Sequence, residues 1–72
     1  MRVTLMMPIK TFTNEADALA ARVFRTESGF LVTLKDTESQ RELPTRWHYH
    51  EEERAIKRAE FLVFPERFTT EP

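Results

Sequence analysis

The stretch from Trp47 to Phe64 constrains the fold most, because it holds the strongest helical pattern in the sequence. Acidic residues open the pattern at 51–53, where the dipole of a helix favours negative charge. Pro65 predicts the end of the helix, since the residue before a proline is disfavoured in helical geometry. Between these signals, apolar side chains recur with helical spacing and form one stripe that should face a core: Ala55, Ile56, Ala59, Leu62 and Val63.

Length and composition limit what this helix can pack on. A chain of 72 residues with 40% hydrophobic residues has room for one small core. It contains no cysteine, so neither a disulfide framework nor a thiolate metal site is available to stabilise it. A small domain without such links gains stability by burying a second apolar surface, and we therefore expect self-association. The net charge of −1 argues against both a strongly basic nucleic-acid binder and an acidic mimic of nucleic acid.

The N-terminal segment bears on where the protein is found. Its apolar run is short and is interrupted by Thr4 and Pro8, a pattern that favours a strand over a signal peptide. No apolar run approaches the length of a membrane span. We therefore expect a cytoplasmic protein that does not bind membranes.

Alternating apolar and polar residues predict strands at 2–12, 30–36 and 40–49. In the first of these, Pro8 indicates an edge position or the end of the strand, because proline cannot donate a ladder hydrogen bond. Pro44 likewise indicates a bulge or an edge in the third. The apolar face of the first strand is expected to carry Val3, Leu5, Met7 and Ile9. In the second strand, Phe30, Val32 and Leu34 should lie on one face and Leu31, Thr33 and Lys35 on the other.

Residues 13–25 fit two structures. As a helix, the segment would be capped by Thr13 or Asn14. It would then present one apolar stripe to the core, formed by Ala16, Leu19, Ala20, Val23 and Phe24. As a strand, residues 22–26 would pair with the next strand across a hairpin at Glu27, Ser28 and Gly29. We favour the helix and keep the hairpin as the alternative.

These elements predict a small two-layer α+β domain, in which a three- to four-stranded, mainly antiparallel sheet is packed by the C-terminal helix. The favoured element order is β-α-β-β-α and the alternative is β-β-β-β-α. Residues 1–64 form the single domain and 65–72 a polar tail. Within the domain, Ile56 and Ala59 should be buried against Val32 and Leu34, with Trp47 at the margin of the core.

A metal site and a catalytic site are both weakly indicated. His48 and His50 stand two apart on the third strand next to residues 51–53, a spacing compatible with metal ligands. We interpret them instead as a polar strand surface that runs into an acid-capped helix, and expect no metal and no cofactor. Ser28 and Ser39 lie in turns without a nearby base, and no glycine-rich phosphate loop is present. We expect no enzymatic activity and no catalytic residue.

A protein interface is the leading functional hypothesis. Phe61 and Phe64 fall outside the helical stripe, on the side of Arg54 and Lys57, and Phe68 follows shortly afterwards. Exposed aromatic side chains next to cations are typical of interfaces, so we predict a homodimer or binding to a larger protein through these five residues. In the competing interpretation, the helix ends near residue 60 and Phe64 or Phe68 folds back onto the sheet.

Binding of single-stranded nucleic acid is the alternative function. Sheets that bind single strands stack bases on exposed aromatic side chains beside basic residues. Trp47 and Tyr49 could supply the aromatic part, unless both face the helix as part of the core. The candidate contacts to the nucleic acid are Arg22, Arg25, Lys35, Arg41, Arg46 and His48.

Overall fold

A computed structural model describes residues 7–68. Its four strands form one antiparallel sheet in the spatial order β1-β2-β3-β4, and the helix α1 packs on one face of it. This arrangement confirms the predicted small α+β domain, in the order β-β-β-β-α. The elements are β1 (Lys10–Asn14), β2 (Leu19–Thr26), β3 (Gly29–Asp36), β4 (Arg41–Tyr49), α1 (Glu52–Val63) and a 3₁₀ turn (Pro65–Phe68).

The helix favoured over residues 13–25 is wrong, because most of that segment is β2. β2 pairs with β1 on one side and with β3 on the other, so both edges of its backbone are hydrogen-bonded within the sheet. This pairing overrides the weak intrinsic preference of an alanine-rich segment for helix. The alternative hairpin is confirmed: Thr26 pairs with Gly29 across a two-residue turn.

Asn14 has a different role from the N-cap that was expected of it. It ends β1, and its side-chain oxygen accepts a hydrogen bond from the backbone N–H of Asp17 at 3.3 Å, which closes the turn to β2. Its side-chain amide donates to the carbonyl oxygen of Val63 at 2.6 Å. Asn14 therefore satisfies one of the last carbonyls of α1 and links the sheet to the helix.

The first strand is shorter than predicted. β1 begins only at Lys10, after Pro8, and occupies an edge of the sheet as the proline indicated. Met7 and Ile9 are 80% and 41% exposed, so they do not form the expected buried face. Instead Phe12 is the apolar residue of β1 that packs on the core. The predicted positions of Val3 and Leu5 lie outside the described residues.

The second hairpin and the edge strand β4 agree with the sequence. Gly29 has a φ of 148°, and a Cβ at this position would collide with the carbonyl oxygen of Tyr49 on β4. Only glycine adopts this positive φ without strain and has no Cβ to collide with the carbonyl oxygen. The pairing of β3 with β4 shifts register between Thr33 and Lys35, which confirms the irregularity predicted at Pro44.

The core is small and consists of small side chains. Its fully buried members are Ala21, Val23 and Val32 from the sheet and Ala55, Ala59 and Val63 from α1. Larger apolar residues surround this cluster and remain partly exposed, among them Ile56, Leu34 and Trp47. Burial of Ala59 is thus confirmed. The predicted burial of Ile56 is wrong, because its side chain lies at the margin of the core and is partly exposed, as is that of Trp47.

Candidate functional surfaces

The two faces of the sheet differ because α1 covers only one of them. The covered face carries the core residues Ala21, Val23 and Val32. On the other face, which we call the open face, no element of the described part of the chain lies. Alternation along the strands assigns to the open face Thr11, Thr13, Ala20, Arg22, Phe24, Leu31, Thr33, Lys35, Glu42, Arg46 and His48.

The open face is arranged in three rows that cross the strands. In one row Phe24 pairs with Leu31, which pairs with His48. In the next, Thr11, Arg22, Thr33 and Arg46 follow one another across all four strands. The third row contains Thr13, Ala20, Lys35 and Glu42.

Four of the six residues predicted to contact nucleic acid share this face: Arg22, Lys35, Arg46 and His48. The other two do not. Arg25 pairs with Phe30 on the covered side, where its guanidinium carbon lies 5.5 Å from the centre of that ring. Arg41 pairs with Asp36 at the start of β4, also on the covered side.

Trp47 and Tyr49 are not available to stack on the bases of a nucleic acid at the open face. Both lie on the covered side and pack against the core cluster. Among the described residues, the phenylalanine on the open face is Phe24. Sequence reasoning missed it because it was assigned to the apolar stripe of a helix; with residues 19–26 read as a strand, its alternation with Val23 would have placed it opposite the core.

A second candidate surface lies on the outer side of α1. We call it the aromatic groove, an open depression of about 350 Å³. At its end the rings of Phe61 and Phe68 meet edge to face with their centres 5.6 Å apart, and they are 41% and 40% exposed. The groove is lined by Tyr49, Arg54, Lys57, Arg58, Phe61 and Phe68.

Hydrogen bonds and ion pairs fix the groove's cations. Arg58 donates from Nε to the hydroxyl of Tyr49 at 2.7 Å, and its guanidinium carbon lies 5.7 Å from the centre of the Phe61 ring. Arg54 pairs with Glu51 at 3.2 Å and Lys57 with Glu53 at 4.0 Å. Such exposed pairs contribute little to stability, but they neutralise two of the three groove cations.

The predicted interface set is therefore mostly brought together. Arg54, Lys57, Phe61 and Phe68 line the groove, whereas Phe64 packs against the core with the guanidinium of Arg67 3.8 Å from its ring centre. Arg58 was missed, although its spacing of four from Arg54 and three from Phe61 places all three on one side of a helix.

The histidine pair is split by the end of β4. His48 lies in the strand and His50 follows it in a bend, and both are exposed. Together with Ser28 they border a depression of about 80 Å³, so Ser28 lies nearer to the histidines than its turn position indicated. Among residues 7–68, no cluster of three or more histidine, aspartate or glutamate side chains could hold a metal ion.

Comparisons with known proteins supply no assignment. No protein-family model matches the chain, and neither a curated protein nor a solved structure matches it significantly. None of the helices within the described range combines the length and the apolar character needed to cross a membrane.

Proposed function

We propose that this protein is a non-enzymatic interaction module that forms a homodimer through the aromatic groove. The observation that carries the proposal is the exposed edge-to-face pair of Phe61 and Phe68. This pair lies beside the three cations of the groove, on a face of α1 that nothing in residues 7–68 covers. Aromatic residues and arginine are the side chains in which the centres of interfaces are enriched.

The composition of the core supports association. The largest fully buried side chains are Val23, Val32 and Val63, while all the described aromatic side chains remain at least partly exposed. A domain of this size gains little stability from a core of alanine and valine alone. A second copy that packs on Phe61 and Phe68 would bury apolar surface that the monomer leaves in water.

Electrostatics permit the two copies to approach each other. A symmetric interface places the same surface of each copy in contact, so unpaired like charges would repel. Here Glu51 and Glu53 already neutralise Arg54 and Lys57, and the Arg58 guanidinium lies over the Phe61 ring. The groove therefore presents mainly rings and neutralised pairs to a second copy.

The mass of the protein in solution tests the proposal. We expect light scattering at micromolar concentration to give twice the chain mass of 8.6 kDa. Phe61→Glu should yield a monomer with an unchanged circular dichroism spectrum, because it replaces the central ring of the proposed interface by a charged group that would have to be desolvated there. Ile9→Glu is the matched control, since Ile9 is also 41% exposed but does not line the groove, and it should remain dimeric.

Phe68→Ala gives a second, milder test. It removes the partner ring of Phe61 without adding charge, and it should weaken the dimer while leaving the monomer folded. A wild-type protein that is monomeric at every concentration would disprove self-association. Equal loss of the dimer in Ile9→Glu and Phe61→Glu would show that the copies meet elsewhere.

A further inference from the structure

We propose that the open face binds single-stranded nucleic acid, with phosphates held by Arg22, Lys35 and Arg46 and bases stacked on the row that contains Phe24. This surface lies on the opposite side of the sheet from α1 and the aromatic groove, so binding there does not depend on the dimer proposed above. Either proposal can fail without the other.

Charge is the first observation that supports this partner. The chain as a whole carries a net charge of −1, but the open face of the described strands presents three cations against one acid, Glu42. Glu42 lies 3.8 Å from Arg46 and directly opposite Lys35 on the neighbouring strand, whereas no described carboxylate lies within 4 Å of Arg22. The open face therefore keeps an excess of positive charge, and no other element of residues 7–68 covers it, so it complements a polyanion.

Register places these cations close together. Arg22 and Arg46 are separated on their row only by Thr33, whose own small side chain is 3% exposed. Lys35 follows Thr33 by two residues on β3, a distance of about 7 Å along a strand. The three cations thus surround one point at the centre of the sheet.

The neighbouring row supplies a surface for bases. Phe24, Leu31 and His48 pair with one another across three strands. The two apolar side chains are partly exposed, and no element within residues 7–68 packs on them. Rings of phenylalanine and histidine stack on unpaired bases without selecting among them. This row lies about 7 Å from the arginine row, because successive side chains on one face are two residues apart.

This arrangement favours a single strand over a duplex. A single strand that lies across the sheet can place its phosphates on the cations and turn its bases onto Phe24. In a duplex the bases are stacked inside the helix and only the phosphates would reach the face. The structure therefore points to a partner whose bases are unpaired, without preference for sequence.

Fluorescence anisotropy with a labelled oligo-dT of about ten nucleotides tests the proposal, a length that covers typical site sizes of small single-strand-binding domains. We expect saturable binding by the full-length chain at low salt. With three phosphate contacts, the logarithm of the binding constant should fall with the logarithm of salt concentration with a slope of about −2.

Two matched double variants locate the site. Arg22→Gln with Lys35→Gln should weaken binding by roughly tenfold and reduce the slope to about −0.7, since one phosphate contact remains. Arg25→Gln with Arg41→Gln removes the same charge from the covered side, and its affinity and slope should stay close to those of the wild type. Phe24→Leu keeps the apolar volume but removes the ring, and should weaken binding by about 5- to 150-fold.

Four outcomes would overturn the proposal: no saturable binding at low salt, equal losses in the two double variants, equal affinity for a duplex of the same length, or equally effective competition by polyglutamate. The last of these would show that the open face recognises acidic proteins by charge alone. Melting curves of each variant show whether a loss of binding is a loss of folding, and Phe24→Leu keeps the test decisive if a double variant unfolds.

Discussion

The covered and open faces of the sheet are made from the same strands, yet they carry side chains of opposite kinds. On the covered face, alanine and valine at 21, 23 and 32 are fully buried and allow α1 to approach closely. On the open face, long cations and one partly exposed ring stand on neighbouring positions of the same strands. The difference shows that one face of the sheet is packed in the core, and the other is the face on which we propose binding.

The helix shows the same division. Its inner side presents Ala55, Ala59 and Val63 to the sheet, whereas its outer side presents Phe61 and Arg58 to solvent. The ring of Phe61 therefore lies where it adds little to the core. Variants on the outer side of α1 should change the proposed interface without changing the packing of the core.

The largest effect is expected where a bulky side chain is forced between helix and sheet. Ala59→Leu should destabilise the domain by about 3 kcal/mol, because Ala59 is fully buried in a cluster of small residues and has no space for added carbons. Phe61→Leu on the outer side should cost under about 1 kcal/mol, since that ring is 41% exposed. Urea unfolding of both variants measures the difference, and similar values would show that the two sides of α1 are equally packed.

Two adjacent residues of β3 compare the faces of the sheet directly. Val32→Ala should cost about 2 kcal/mol, because two buried carbon atoms are removed and a cavity remains. Leu31→Ala removes three carbon atoms from the open face and should cost less than about 1 kcal/mol, since no element of the described range packs on that side chain. If Leu31→Ala were the more damaging change, the open face would have to be covered in solution.

Loss of the hydrogen bond that links the sheet to the helix through Asn14 should lower the stability by an intermediate amount. Asn14→Asp keeps the oxygen that accepts from the Asp17 backbone but removes the donor to the Val63 carbonyl and to the Asp17 carboxylate. It also places negative charge beside that carboxylate and the carbonyl end of α1. We expect a loss of about 1–2 kcal/mol from the unpaired carbonyl and the unfavourable charge. Thr13→Asp adds the same charge one residue earlier on the open side. A thermal melt in which Thr13→Asp is the less stable variant would argue against the link.

How much the sequence could predict depends on whether the deciding contacts are local. The stripe of α1 and the alternation in β3 repeat over enough residues to identify both elements. The segment 19–26 could not be assigned in this way, because its alanines suit a helix and only pairing with β1 and β3 makes it a strand.

The incorrect helix prediction for residues 19–26 also affected the prediction of the candidate binding surfaces. The sequence proposes Arg22, Lys35, Arg46 and His48 together with Arg25 and Arg41 as candidate contacts, and only strand register separates the first four from the last two. Phe24 was assigned to a core because the helix was favoured. The groove was predicted better, since Arg54, Lys57 and Phe61 all lie on one helix whose periodicity is clear.

The smallest change in the free energy of unfolding is expected from a substitution on the open face, and it should be a gain in stability. Arg22 and Lys35 are diagonal neighbours on β2 and β3, at a spacing of roughly 7–8 Å where like charges repel each other. Arg22→Gln should therefore raise the free energy of unfolding by a few tenths of a kcal/mol at low salt, because it removes this repulsion and leaves Lys35 opposite Glu42, and the gain should vanish in high salt. Arg25→Gln should give no gain, because it removes the contact of Arg25 with Phe30 and leaves the open face unchanged. Urea unfolding at two salt concentrations measures both variants. A loss of stability in Arg22→Gln at low salt would mean that Arg22 is held by a partner within the fold, and the open face would then not present this cation to a ligand.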